Sequence, residues 1–426
     1  MVTQRVFSSI ALGLAGMLGA GLFTGFAPAV AGSGRWFLVA MVLPAIAALC
    51  CVSVSASQAV AYPGAGTSYP CVREHLGAWP ARFASTAQLA GSAAAVAALA
   101  GTCADYLLPG HRIPVALVFV GLVTVFAAAG LRLSRRVLTI GVVFVLVVLS
   151  LIVITGLAIA PPPQAVPVAG TTGADSVNGF TAAAASLFFV FLGFDRMTAP
   201  SRAELAEGGR SSGIAIPLLV LTALGMYLLL GFVLLHQLGS GRLAVSATPL
   251  RDVLGAADAS AFAPAASAAA VVGLGMAAVL TLGGMHRTAV SMAAGRDLPV
   301  GLSRDRARPA VDVIVGALAA IGVLLLTPAQ AIPLAAACVF AHYAFSSAST
   351  RVLLMDDGGT WPLRAACAGM AFSVLLCMCL PGWTLLSVVA LVGGASAALG
   401  LYARFGGDGG APSPGNVPIR DADTRQ

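Results

Sequence analysis

The stretch Gly16-Met17-Leu18-Gly19-Ala20-Gly21-Leu22-Phe23-Thr24-Gly25 decides the fold, because its glycines interrupt the first apolar segment of the chain. Each glycine weakens a helix by about 1 kcal/mol relative to alanine, so a continuous helix is not expected here. Inside a bilayer, backbone groups released by a break must find partners in protein, water or ligand. The stretch is therefore either a groove against which another helix packs or a place where the backbone binds a solute.

The composition is typical of a membrane protein. Of the 426 residues, 59% are hydrophobic and 9% are charged, and the mean hydropathy is +0.95. A soluble domain carries about 25% charged residues, so lipid must be the solvent for most of this surface. The net charge of +7 is attributed to arginines in loops, and nucleic acid is given no weight as a partner. Arg5 and the small residues 27–31 resemble a secretory signal, but the long, glycine-broken run between them favours a retained span.

Hydropathy over windows of about 19 residues predicts twelve spans, numbered here span 1 to span 12. They lie near residues 6–30, 36–60, 83–108, 113–130, 136–160, 178–202, 213–237, 262–294, 311–327, 329–353, 362–380 and 383–403. Residues 1–405 are interpreted as one membrane transport domain, and residues 406–426 as a disordered cytoplasmic tail. The glycines and prolines after span 2, within 61–82, predict a turn followed by a short helix at the membrane surface.

Arginines are distributed very unequally between the two sets of loops. Only Arg35, Arg112, Arg242 and Arg251 fall in one set, whereas nearly all the others fall in the opposite set and in the tails. Loops rich in arginine remain in the cytoplasm. The bias therefore predicts a multi-pass protein of the bacterial inner (plasma) membrane with cytoplasmic N- and C-termini.

Span 6 contains a second interruption, in Phe188-Phe189-Val190-Phe191-Leu192-Gly193-Phe194-Asp195-Arg196. Gly193 breaks an aromatic run, and a carboxylate and an arginine follow at membrane depth. Ionisable residues inside a membrane are costly and indicate a functional site. Asp195 could instead cap the second half of the broken helix by accepting from its first N–H groups. A broken transport helix needs both roles.

The two interruptions lie five spans apart. Interrupted spans at corresponding places in two halves are typical of inverted repeats, with the binding site between the breaks. We therefore predict an all-α polytopic membrane protein with a five-plus-five inverted-repeat transporter fold, about twelve transmembrane helices, and breaks in helices 1 and 6. Repeat one would cover about 6–160 and repeat two about 178–353, with two extra helices within 362–403.

Such breaks suit a zwitterionic amino acid. The N-terminus of a half-helix attracts a carboxylate, and the carbonyls that end the preceding half-helix attract a cation. Backbone at residues 19–21 is predicted to bind the carboxylate, and carbonyls near residues 17–18 and 189–192 the ammonium. The predicted substrate-binding residues are Met17, Leu18, Gly19, Ala20, Gly21, Phe189, Phe191, Leu192 and Gly193, with Phe188 and Phe189 as gating aromatics.

Other polar residues give weaker signals. His236, His286 and His342 are lone histidines in or beside spans, for which a hydrogen-bonded structural role is more common than a proton relay. Arg287 in span 8 is a candidate, with Asp195 and Arg196, to support the break or couple transport to an ion. No nucleophile–His–carboxylate set, HExxH or P-loop occurs, so no enzyme, no metal site and no cofactor is predicted.

Several stretches resemble motifs of the amino acid–polyamine–organocation permeases. Gly19-Ala20-Gly21-Leu22-Phe23-Thr24-Gly25 resembles their first-helix GAGIF signature. Four further stretches resemble the loop between helices 2 and 3, the helix-6 break and the end of helix 8. They are Tyr62-Pro63-Gly64-Ala65-Gly66 through Tyr69, Arg73-Glu74-His75-Leu76-Gly77, Phe191-Leu192-Gly193-Phe194-Asp195, and Arg287 with Met292 and Arg296-Asp297-Leu298-Pro299. The matches keep a consistent order over about two-thirds of the chain.

The resemblance implies the five-plus-five fold and alternating-access transport of amino acids, with Phe189 at the position of the gating aromatic. Proton-coupled members of the family often carry a lysine in helix 5, whereas residues 140–145 are wholly apolar. Arg196 also follows the aspartate where a small residue is usual, and Ala294-Gly295 replaces a charged pair. Arg196 or Arg287 could supply the missing positive charge.

We therefore expect a secondary active transporter that moves an amino acid, by preference a neutral one, with a proton or sodium ion as the possible coupling ion. Its partners would be the amino acid substrate and the lipid bilayer, and the sequence leaves the oligomeric state undefined. One alternative is an amino acid/amine exchanger of the same fold without ion coupling. A second is a transport-dead sensor or subunit.

Overall fold

The computed structural model describes residues 13–19, 21–62, 65, 67–131, 133–161, 177–193, 210–355 and 360–405. Apart from short turns, the described chain is helical. Span 1 consists of Gly13–Thr24 followed by Phe26–Ala40. The remaining helices are span 2, Val42–Ala61; the linker helix, Tyr69–Leu76; span 3, Ala78–Leu107; span 4, Arg112–Ala128; span 5, Arg135–Ala158; span 6, Val177–Leu187 with a 3-10 turn at Phe188–Phe191; span 7, Arg210–Val245; a short helix, Pro249–Ala256; span 8, Ala263–Ala294; span 9, Arg308–Leu325; span 10, Pro328–Leu354; span 11, Thr360–Met378; and span 12, Gly382–Phe405.

Within the described residues, nine helices are long and apolar enough to cross a membrane, and the bent pair of span 1 would make a tenth. The other two predicted spans correspond to the shorter apolar helices Arg112–Ala128 and Val177–Phe191. The chain is therefore a multi-pass membrane protein. The predicted short helix after the turn is confirmed as the linker helix between spans 2 and 3.

Spans 3 and 10 form the centre of the bundle and pack extensively on each other. Within the apolar window of each, 78% of the residues are buried, against 22% for span 12 and 28% for span 11. Alanine, glycine and serine dominate span 3, so its backbone approaches its neighbours closely, as is usual for helix packing in membranes. The two terminal spans lie at the periphery, which agrees with a core built from ten spans.

Helix termini are fixed by local sequence signals. Ser134 caps span 5, because its side chain accepts a hydrogen bond from the Val137 N–H. Thr327 and Gln330 form a capping box at the start of span 10. Proline occupies the first turn of the linker helix and of spans 8, 9 and 10, where its missing N–H costs no hydrogen bond.

Both spans predicted to be broken depart from a straight helix. Span 1 bends by 53° between Thr24 and Phe26, so the bend falls at Gly25, at the end of the glycine stretch. Span 6 tightens into a 3-10 turn and leaves helical geometry at Leu192, whose ψ is 142°. The predicted fold class, an all-α inverted-repeat transporter with breaks in helices 1 and 6, is confirmed. The assigned tail at 406–426 lies outside the described residues.

Candidate functional site

The two interrupted spans touch each other at Gly16 and Gly193. A Cβ built on Gly16 would lie 3.2 Å from the Gly193 Cα, and one on Gly193 would lie 3.0 Å from the Gly16 backbone. Gly193 also has a φ of +107°, a conformation that side chains rarely adopt. Glycine is thus required at Gly193 both by its backbone conformation and by this close approach.

Tyr227 of span 7 links the two interrupted spans. Its hydroxyl lies 2.9 Å from the carbonyl oxygen of Met17 and 3.0 Å from that of Val190, so both carbonyls accept from one donor. The ring is fully buried and packs edge-on against Phe191 at 5.4 Å. Backbone acceptors from spans 1 and 6 therefore converge on one point, as expected for discontinuous transport helices.

A small cavity of about 50 Å³, here called the central cavity, lies beside this contact. A single water needs roughly 10–15 Å³, so the cavity holds a few water-sized groups. Its polar lining comes from spans 3, 8 and 10, and none of its described lining residues is a carboxylate or an arginine. The lining includes Gly16, Gln88, Ser92, Phe189, Leu192, Gly193, Thr281, His342 and Tyr343.

One flank of the cavity, between spans 1, 5 and 8, is packed too closely to hold a solute. We call it the glycine seam and define it by Gly19, Gly141, Gly273, Met276 and Ala277. A Cβ on Gly19 would overlap the Gly273 carbonyl oxygen, and one on Gly141 would lie 2.6 Å from the Met276 sulfur. The apolar part of span 5, where family members often carry a coupling lysine, thus faces a thioether.

The opposite flank is a buried run of hydrogen bonds between span 2, the segment before the linker helix, and span 10. We call it the hydroxyl chain and define it by His342, Ser68, Ser346 and Gln58. His342 Nε2 lies 3.5 Å from the Ser68 hydroxyl, which lies 3.2 Å from the Ser346 hydroxyl. The Gln58 amide nitrogen then lies 3.0 Å from the Ser346 hydroxyl. All four side chains are buried.

Below the hydroxyl chain, Asp297 holds the end of the bundle where spans 3 and 10 meet the linker helix, here called the arginine-rich end. Its carboxylate accepts from Arg73 at 2.8 Å, from Arg82 at 2.7 Å and from the Tyr69 hydroxyl at 2.6 Å. Asp297 itself is fully buried. Burial, together with the hydrogen bond to this carboxylate, raises the pKa of Tyr69 well above its usual range, so the phenol remains a donor.

The predicted substrate residues occupy two kinds of place. Phe189, Leu192 and Gly193 line the central cavity. Met17 and Phe191 contact Tyr227 instead. Four other predicted residues lie in packing contacts: Leu18 is buried, Gly19 lies against Gly273, Gly21 lies against Val190 and Tyr227, and the Phe188 ring packs on the Phe340 ring at 4.5 Å. Ala20, Asp195 and Arg196 lie outside the described residues.

Arg287 does not line the central cavity. It is half-buried on span 8, next to His286, whose Nδ1 lies 2.8 Å from the Asp312 carboxylate on span 9. A role for Arg287 in coupling stays a prediction.

Of the polar side chains in the lining, the sequence analysis singled out only His342. Gln88, Ser92 and Thr281 are isolated polar residues in alanine- or leucine-rich helices, and nothing in a single sequence distinguishes them from tolerated ones. A signal did exist in span 10, where Ser346, Ser347, Ser349 and Thr350 crowd one turn after His342. Polar side chains gathered inside a span face protein or a cavity.

The fold and site define a class: a membrane transporter with two interrupted helices around a central cavity. The model of the amino acid permease family matches residues 5–392, and the chain therefore belongs to that family. Uncharacterized transporters of Mycobacterium tuberculosis and Mycobacterium bovis are 31% identical over 404 residues, covering 93% of this chain and 90% of theirs. A crystal structure of a mutant manganese transporter from Eremococcus coleocola shares the fold, with a TM-score of 0.60 and 14% identity over 93% of this chain and 94% of that one.

Proposed function

We propose that the protein is a secondary active transporter that moves a small neutral amino acid across the bacterial inner membrane by alternating access. The central cavity beside the contact of Gly16 with Gly193 is the observation that carries this proposal. Its position where spans 1 and 6 touch agrees with binding sites built between broken helices. The arginine distribution supports cytoplasmic termini, which would place the arginine-rich end at the cytoplasmic face.

The lining supports a neutral rather than a charged side chain on the substrate. Gln88, Ser92 and Thr281 offer hydrogen bonds, and the described lining contains no carboxylate or arginine to pair with a charged side chain. The volume of about 50 Å³ favours the smallest amino acids. Met17 and Val190 follow the lining residues Gly16 and Phe189 in sequence, but their backbone carbonyls accept from the Tyr227 hydroxyl, so an ammonium group at these carbonyls would have to share or replace that donor.

The manganese transporter with the same fold raises metal transport as a second kind of cargo. The described part of this chain contains no group of three or more His, Cys, Asp or Glu side chains that could hold a metal ion. Hydroxyl and amide oxygens without carboxylate suit an organic zwitterion better than a transition metal. We therefore retain an amino acid as the proposed substrate.

An exchanger of the same fold, without ion coupling, is the second candidate. The glycine seam favours it, because Met276 faces Gly141 in the part of span 5 where proton-coupled relatives often carry a lysine. Arg196 at the break of span 6 would be the feature that indicates a transport-dead sensor or subunit, and this residue lies outside the described residues.

Uptake by the purified full chain in proteoliposomes tests the proposal. Radiolabelled glycine, alanine, serine, leucine, glutamate and arginine would each be measured as counterflow against the same unlabelled amino acid, at two pH values. We expect counterflow of at least one of the three small neutral amino acids and none of glutamate or arginine. Absence of counterflow for all six, together with no thermal stabilisation by any of them, would contradict amino acid transport. Manganese uptake in its place would support the other cargo.

A further inference from the structure

His342 is a histidine in the described lining of the central cavity, and it lies near the middle of span 10. It is 4% exposed, so its imidazole is enclosed by protein. A buried titratable group inside a span is costly to charge and indicates a function by default. The sequence favours a hydrogen-bonded structural role over a proton relay for each lone histidine, and the position of His342 in the cavity lining is the observation that favours a relay here.

The hydrogen bonds of His342 fix which nitrogen can accept a proton. Nδ1 lies 2.9 Å from the carbonyl oxygen of Ala84 on span 3. A carbonyl can only accept, so Nδ1 must carry a hydrogen. Nε2, which lies 3.5 Å from the Ser68 hydroxyl, is therefore the acceptor in the neutral ring and the atom that becomes protonated.

The hydroxyl chain accommodates both protonation states without moving heavy atoms. With a neutral ring, Ser68 donates to Nε2, Ser346 donates to Ser68, and the Gln58 amide nitrogen donates to Ser346. With a protonated ring, Nε2–H donates to Ser68, Ser68 donates to Ser346, and Ser346 donates to Gln58 Oε1, 3.3 Å away. Each hydroxyl is both donor and acceptor, so only hydroxyl rotation is required.

The same short segment connects the proton-accepting atom to the arginine-rich end. Ser68 contacts His342, and the next residue, Tyr69, donates to the buried Asp297 carboxylate. If this end opens by movement of the linker helix, Tyr69 and Arg73 would leave Asp297, and the movement would carry Ser68 away from Nε2. Access of water to Nε2 is therefore tied to the state of that end.

The elements around His342 carry these titratable and charged groups: Cys338, Tyr343 and Arg351 on span 10; Tyr69, Cys71, Arg73, Glu74 and His75 on the linker helix; Arg82, Cys103, Asp105 and Tyr106 on span 3; and Cys50 and Cys51 on span 2. Asp297, after span 8, reaches this region through Tyr69. The Tyr343 ring lies 5.1 Å from the imidazole. Burial raises the pKa of Cys71 to about 11, so this thiol stays neutral. Arg82 and Asp297 pair with each other at 2.7 Å. Span 2 contributes Gln58 to this region, and span 6 contributes Phe188 and Phe189.

We propose that Nε2 of His342 is the proton-binding site that couples amino acid transport to a proton gradient, an inference that rests on the proposed function. A proton from water in the outward-open cavity adds to the Nε2 lone pair and gives an imidazolium in the lining. When the arginine-rich end opens, the Nε2–H bond breaks and water on that side takes the proton. One proton crosses for each amino acid, and no other reactant is needed.

The test compares the full chain with His342→Gln, which keeps a donor for Ala84 but does not titrate. His236→Gln is the matched control, because His236 lies on span 7 and stacks on Phe232 away from the cavity. Accumulation of radiolabelled alanine driven by an imposed pH gradient and alanine counterflow without a gradient would be measured for all three. We expect gradient-driven accumulation by H342Q to fall roughly tenfold further than its counterflow does, a typical coupling between sites. H236Q should match the unmodified protein.

Failure of the inference and failure of the proposed function give different results. Counterflow by the unmodified protein with no response to a pH gradient, or a full response in H342Q, would overturn the role of His342 and leave amino acid transport standing. No counterflow by the unmodified protein with glycine, alanine or serine would overturn both. If H342Q does not fold, calorimetry of alanine binding to the unmodified protein in two buffers of different ionisation enthalpy decides the matter. Proton uptake on binding supports the site, and its absence rejects it.

Discussion

The two flanks of the central cavity are built on opposite principles. The glycine seam contains no side-chain hydrogen-bonding group and brings the backbones of spans 1 and 8 into direct contact. The hydroxyl chain gathers an imidazole, two hydroxyls and an amide into one buried network. In the part of span 5 where relatives often carry a coupling lysine, this chain is closely packed. Its titratable group, His342, lies on the opposite flank of the cavity. The comparison indicates that the glycine seam holds spans 1, 5 and 8 together, whereas the hydroxyl chain contains the groups that can exchange a proton.

The largest effect is expected from Asp297, which holds the hydroxyl-chain flank at the arginine-rich end. Asp297→Asn removes the charge that pairs with Arg73 and Arg82 and should destabilise the folded protein by about 3 kcal/mol. Cys71, which is buried in the linker helix, should then react faster with a thiol reagent. Thermal unfolding and Cys71 labelling would measure both effects.

The control for that change is Asp105→Asn, because the Asp105–Arg112 pair is also short, at 2.9 Å, but its arginine is 43% exposed. Exposed pairs contribute about 0–1 kcal/mol, so D105N should leave stability nearly unchanged. Equal losses of stability in D297N and D105N would show that the buried ion pairs of Asp297 stabilise the protein no more than the exposed pair of Asp105 does.

A smaller loss of stability is expected in the glycine seam. Gly19→Ala forces a methyl group into the Gly273 backbone and should cost about 1–3 kcal/mol, as overpacking does. Gly275→Ala on the same span 8 meets no atom within 4 Å and should be neutral or slightly stabilising. Detergent-solubilised thermal unfolding would distinguish them. If G19A were as stable as the unmodified protein, the glycine seam would have room for a methyl group, which would contradict its close packing.

The smallest effect is expected from Ser347, which lies beside the hydroxyl chain but takes no part in it. Its buried hydroxyl has no hydrogen-bond partner in the described part of the chain. Ser347→Ala removes an unsatisfied group and should leave stability unchanged or raise it by about 1 kcal/mol. Ser346→Ala removes a member of the chain and should weaken the response of uptake to a pH gradient. A weaker response in S347A than in S346A would contradict the assignment of the chain.

The sequence predicted the architecture well because two glycine breaks five spans apart are a non-local pattern visible along the chain. It could not assign separate roles to the glycines. Gly16 and Gly193 meet at the cavity, whereas Gly19 and Gly21 pack against other spans, and only the folded chain distinguishes these partners. The hydroxyl chain was likewise hidden, because Gln58 and Ser346 are far apart in sequence and each resembles an isolated polar residue in an apolar helix.

The central claim is that the amino acid binds where Gly16 meets Gly193, and Gly16→Ala tests it most directly. The added methyl group would lie 3.2 Å from the Gly193 Cα, at the edge of the cavity of about 50 Å³ that both residues line, and we expect it to narrow this cavity. Proteoliposome counterflow of radiolabelled glycine and alanine should then change selectively. The account predicts that alanine transport falls about tenfold more than glycine transport, the discrimination expected for one methyl group in a tight pocket. An equal change for glycine and alanine would contradict the placement of the substrate in this cavity.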